Sequence, residues 1–86
     1  MRVKDLNEFD LKIIGPYETR FRGKVVSLLA STPVGKVGIL AHHAPYLSII
    51  KEGKIEFILK SGENKSFELD GGLLKVKNNQ ATVVYF

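Results

Sequence analysis

The 86-residue chain is 44% apolar and 26% charged with a net charge of +4, too hydrophobic for intrinsic disorder and long enough for one core but not two, so residues 1–86 read as a single domain. It contains no cysteine, which excludes disulfides, thiolate metal sites and thiol chemistry. Its longest apolar run is four residues, against the roughly 18 a bilayer-crossing helix needs, and its 13 basic residues, from Arg2 to Lys77, are scattered among nine acidic ones, so charge favours an anionic partner only weakly.

The predicted elements follow in chain order. In "NEFDLKII", residues 7–14, Phe9, Leu11 and Ile13 alternate with polar neighbours, the period of a strand with one buried face. Leu6, Phe9 and Ile13 also fit helical spacing, but the segment is shorter than a usual helix. After Gly15-Pro16, "RFRGK" places Arg20, Arg22 and Lys24 on one side of a strand and Phe21 on the other. The next residues are apolar on both sides, Val25, Ser27 and Leu29 alternating with Val26, Leu28 and Ala30. That pattern predicts burial between sheets or beneath a partner, or the central strand of a small barrel. Thr32-Pro33-Val34-Gly35 is a turn signal, and Glu52-Gly53 another.

"KIEFILKS", residues 54–61, alternates through Ile55, Phe57 and Leu59, with Ile58 pointing outward. Turn signals recur at residues 61–64, at Asp70-Gly71-Gly72, where the glycines open a strand, and at Asn78-Asn79. The closing "VVYF" leaves no clean polar face. Short strands between turns, with no convincing helix, predict an all-β antiparallel sandwich of about nine to ten strands.

"GILAHHAPYLS", residues 38–48, holds both histidines of the chain. On an extended segment His42 and His43 point to opposite sides and cannot chelate one ion together. With few carboxylates nearby and no cysteine, a metal site does not assemble, and no metal or cofactor is expected. Ser48, His43 and Asp70 could be imagined as a triad, but no G-x-S-x-G elbow accompanies them. "VGKVG" lacks the spacing of a phosphate-wrapping loop. The basic "RFRGK" could track a nucleic-acid backbone, yet Phe9, Phe21, Phe57 and Phe67 fall about one per strand on faces that read as core rather than on one stacking surface.

Taken in order, these residues resemble a known family. "VGKVGILAHHAPYLSIIKEGKI" is similar to the signature of the epsilon subunit of F-type ATP synthases, in which G-x-x-G-I-L, H-A-P-x-L and K-x-G succeed one another. Upstream, "ETRFRGKVVSL" is similar to that family's F-x-G-x-V stretch, and downstream "ELDGGLLKVKNNQATVV" is similar to its G-G-x-L-x-V ending. The resemblance runs from about Leu11 to Val84.

The resemblance implies a β-sandwich of about ten strands and a subunit without chemistry of its own. It implies a place in the central stalk, peripheral at the cytoplasmic face of the bacterial inner membrane, where the subunit couples ion translocation to ATP synthesis. His43, Ala44, Pro45 and Tyr46 would face the gamma subunit. Gly35, Lys36 and Gly38, with Arg22 and Lys24, would approach the c-subunit ring. Family members usually continue into a C-terminal helical pair that restrains hydrolysis and in some binds ATP; a chain ending at Phe86 is expected to lack that arm. Where the family typically has acids, this sequence has Arg22, Lys24 and Lys36, implying a basic foot that meets a charge-reversed c loop or anionic headgroups. The alternative is a small OB-like barrel that binds single-stranded nucleic acid.

Overall fold

The computed structural model describes residues 7–86; Leu6 and Arg2 lie outside them. The described residues form eight strands: β1 (Phe9–Ile14), β2 (Thr19–Thr32), β3 (Gly35–Ile39), β4 (Tyr46–Ile50), β5 (Gly53–Leu59), β6 (Asn64–Leu69), β7 (Gly72–Lys77) and β8 (Gln80–Tyr85). Every turn signal falls at the junction of two of them. At the β7–β8 hairpin Asn78 and Asn79 have φ of 52° and 60°, the left-handed pair that a two-residue hairpin turn requires and asparagine tolerates.

The strands make one curled sheet in the order β4-β7-β8-β1-β2-β5-β6, with β3 also paired to β2. It closes on itself as a sandwich. One layer is β4-β7-β8-β1 with the first half of β2; the other is β3, the second half of β2, β5 and β6. Phe9, Leu11 and Ile13 from the first layer meet Leu28, Ile39, Ile55 and Phe57 from the second in a single core. Phe57 contacts Phe21 and Phe67, which pack against that core, with ring centroids 4.7 and 5.7 Å apart, so the aromatics pack as expected.

Two expectations are corrected. The sheet is mixed rather than wholly antiparallel, because β1 and β8 run parallel, Asp10 facing Gln80 through Ile14 facing Val84. No tight hairpin links the first strand to the last, so nothing forces their directions to oppose. The strand count is eight rather than nine to ten, because residues 19–32 remain one 14-residue strand. A bulge at Val26 keeps it whole: Val25 faces Leu59 while Ser27 already faces Ile58. The extra residue switches the inward face from Val25 to Leu28, Ala30 and Thr32, all buried. That switch is why this stretch reads as apolar on both sides.

Candidate functional site

After buried Ile39 the chain leaves β3 through a turn whose His43 N–H donates to the Leu40 carbonyl at 3.2 Å. His42 takes the left-handed conformation, φ 63°, and its N–H donates to Asn79 Oδ1 at 2.7 Å. Asn79 Nδ2 in turn donates to the Glu8 carbonyl at 3.0 Å. One side chain thus ties the loop to the β7–β8 turn and to the approach to β1.

His43 and Ser48 spend their hydrogen bonds on neighbouring backbone rather than on each other. His43 Nδ1 donates to the Ala44 carbonyl at 2.7 Å, which can only accept, and the Ser48 hydroxyl donates to the Ile49 carbonyl at 3.1 Å. The His43 ring stands edge-on to Tyr46, centroids 5.9 Å apart at 75°, and Tyr46 packs against the core. Pro45 fixes its own φ and restricts Ala44, so the loop holds its shape before any partner arrives. Pro45, Tyr46 and Leu47 with Lys75, Val76 and Lys77 line a depression of about 290 Å³ beside it.

At the other end of β3 stands the β2–β3 hairpin tip. The buried Thr32 staples it: its hydroxyl donates to the Gly35 carbonyl at 2.7 Å and accepts from the Val34 N–H at 3.3 Å. Val34 is 87% exposed at the tip. Gly35 needs to be glycine, with φ of +119°. Gly38 does not: its φ is not positive, and a Cβ there would meet nothing within 4 Å. Lys36 and Gly38 face outward from their layer, alternating with half-buried Val37 and buried Ile39.

Arg22 and Lys24 are not part of this tip. They precede the bulge and face outward from the other layer, opposite Lys12 and Asp10 on β1, with Lys24 Nζ 3.0 Å from the Asp10 carboxylate. The single basic foot expected from the sequence therefore divides: Lys36 on one layer, Arg22 and Lys24 on the other. Arg20 leaves the row as well. A register shift at Ile13/Ile14 turns it toward β8, where its guanidinium donates to Tyr85 Oη at 3.0 Å and lies 4.9 Å from the Phe67 ring centre.

Sequence reasoning missed two things. Asn79 was legible only as a turn residue, since its loop partner lies 37 positions away. The outward face of β4, β7 and β8 was not singled out either, although it exposes Leu47, Ile49, Leu73 and Val84, with Phe86 beyond. Its signal was there in "YLSII" and "GLLKVK", where apolar residues occupy both parities. Among the described residues no three His, Asp or Glu side chains come together to hold a metal ion.

Residues 8–85 match the family model described as ATP synthase, Delta/Epsilon chain, beta-sandwich domain. An ATP synthase epsilon chain from Caldicellulosiruptor bescii is 38% identical over 90% of this chain and 56% of its own length. One from Chlorobium limicola is 34% identical over 88% of this chain and 86% of its own. The chain thus spans little more than half of the first relative and most of the second. Among solved structures, a chain of the Euglena gracilis mitochondrial ATP synthase OSCP/F1/c-ring assembly superposes with a TM-score of 0.87 at 18% identity, covering 92% of this chain and 51% of that one. A chain of the Tetrahymena thermophila mitochondrial ATP synthase central stalk and c-ring gives 0.76 at 14% identity, covering 90% and 62%. At those identities the likeness is one of fold.

Proposed function

Since the chain belongs to the ATP synthase delta/epsilon β-sandwich family, we propose that it is a non-catalytic subunit of the central stalk of an F-type ATP synthase. In this reading it binds the gamma subunit and the c-subunit ring and is peripheral at the membrane through the complex, on the cytoplasmic side of a bacterial inner membrane. The observation that carries it is the placement of two pre-shaped elements at opposite ends of one short strand. The His43-Ala44-Pro45-Tyr46 loop leaves the end of β3, and the stapled hairpin tip with Val34, Gly35 and Lys36 begins it. A small rigid body with a contact at each end suits an adaptor that carries torque between two partners better than it suits a catalyst.

Gly38, three residues along β3 from the tip, supports a partner contact on the outward side of that strand. The fold leaves open space over it, which is what a close backbone approach from a partner would use. Gamma would take the loop end, where docking costs little ordering entropy. The test is co-expression with a gamma subunit and recovery of a stoichiometric complex, followed by its capture on a c-ring. Recovery with gamma is the expected result. Oligonucleotide binding whose log affinity falls steeply with log salt, without any gamma complex, would overturn it in favour of a nucleic-acid-binding barrel.

A further inference from the structure

The outward face of the first layer can be read rung by rung from the strand register. One rung crosses five strands as Leu47, Lys75, Thr82, Lys12 and Arg22. The rung on one side of it is Ile49, Leu73, Val84 and Ile14. The rung on the other side is Lys77, Gln80, Asp10 and Lys24. An apolar rung therefore lies directly against one that is cationic, with a second cationic rung beyond that and Asp10 the one carboxylate among them.

Four of these five cations have no carboxylate partner among the described residues. Lys24, Lys60 and Lys65 each have a carboxylate within 3.0 to 3.6 Å, whereas among the described residues Lys12, Arg22, Lys75 and Lys77 have none at salt-bridge distance. They also line three depressions that share residues from one to the next and together make a trough. The depression beside the His43 loop is lined by Lys75 and Lys77. A second, of about 140 Å³, is lined by the same two lysines with Gln80 and Thr82. A third, of about 400 Å³, is lined by Gln80 and Thr82 with Lys12, Arg22 and Asp10.

We propose that this trough and the apolar rung beside it dock an amphipathic helix of a partner protein, one that carries an aliphatic stripe flanked on one side by aspartate and glutamate. Five strands at about 4.8 Å spacing span roughly 19 Å, the length of about 13 helical residues. A helix about 10 Å wide covers two rungs some 7 Å apart, one apolar and one cationic. The segregation of charge selects this occupant. An anionic bilayer would favour apolar side chains ringed by cations, but here the cations flank the patch on one side, while its far end presents Lys51 next to Glu52. A nucleic acid would leave Ile49, Leu73 and Val84 without a partner. This deepens the reading above and rests on a protein partner at the loop end.

The probe is a fluorescein-labelled 14-residue helical peptide with leucine at helical spacing and glutamate along one flank, titrated with the 86-residue chain and compared with its lysine-for-glutamate twin. The acidic peptide is expected to bind at least tenfold more tightly than the twin, shifting the amide resonances of Lys12, Lys75 and Thr82. Lys75→Glu and Lys12→Glu, exposed changes read alongside a melting curve, are each expected to weaken it fivefold or more. Lys65→Glu, off the face, is the control. Lys75→Gln should give an intermediate loss and keeps the test valid where the reversal disturbs the sheet. Equal binding of the two peptides, no binding of either, or tighter lysine-dependent binding to phosphatidylglycerol vesicles or to a 15-nucleotide DNA overturns the proposal. If gamma is retained alike by the parent chain, Lys12→Glu and Lys75→Glu, the trough is wrong and the stalk reading stands; loss of gamma from the parent chain refutes the stalk reading itself.

Discussion

Asn79 joins three segments far apart in the chain, and its side chain does so while its own backbone sits at φ 60°. Asn79→Gly preserves the turn geometry and removes only the amide. We expect it to cost about 1 to 2 kcal/mol, two hydrogen bonds' worth, seen as a melting temperature lower by several degrees, with faster hydrogen exchange at the His42 amide. The two glycines of β3 separate fold from contact. Gly35→Ala forces an alanine into a left-handed φ and is expected to cost about 1 to 2 kcal/mol of stability. Gly38→Ala meets open space and should leave thermal melting unchanged while weakening capture on the c-ring. At the loop, His43→Ala is expected to leave melting nearly unchanged and to weaken gamma binding by about 1 to 2 kcal/mol. Tyr46→Ala should reduce both, because that ring also packs on the core. The loop's stiffness was readable from Ala44-Pro45, since proline acts on its neighbours. Its anchor was not, since no local pattern links position 42 to position 79.

At the scale of elements, the bulge in β2 governs which side chains enter the core. Deleting Val26 would leave Val25 and Leu28 two positions apart, so that strict alternation alone keeps Leu28, Ala30 and Thr32 inward, whereas deleting Leu29, beyond the bulge, would turn Ala30 and Thr32 to the outside, since a one-residue slip exchanges the two faces of a strand. The expected outcome of the Leu29 deletion is loss of the cooperative unfolding transition in circular dichroism, which the Val26 deletion and Leu29→Ala should both retain. The strands themselves were legible because β1 and β5 each bury every second residue. The double-sided apolar run in β2 was legible as an anomaly and not as a bulge, because periodicity within one strand does not show where its partner's register shifts. The same limit hid the division of the basic residues. Arg22 and Lys24 precede the switch and Lys36 follows it, so a row of similar charges in sequence ends on two different surfaces.

For the whole molecule, the sheet order places the last strand, β8, between β7 and the first strand, β1. That pairing joins residues some 70 positions apart, and neither strand's composition announces it, which is why an antiparallel sandwich was the natural expectation. It also gives the domain a directional mechanical character. A pull applied at Phe9 and at Tyr85 draws the parallel strands past one another along their length and strains the hydrogen bonds of all five facing pairs, Asp10 to Ile14 against Gln80 to Val84, at the same moment. A pull applied at Gly72 and Tyr85, which face each other at the open end of the β7–β8 hairpin, would part the bonds in succession. Single-molecule stretching through the first pair of positions should therefore record a distinctly higher rupture force than through the second. Resistance to sliding would then reside in the seam where the chain's beginning meets its end, and a stalk component built this way would be stiff along its strands and comparatively easy to peel.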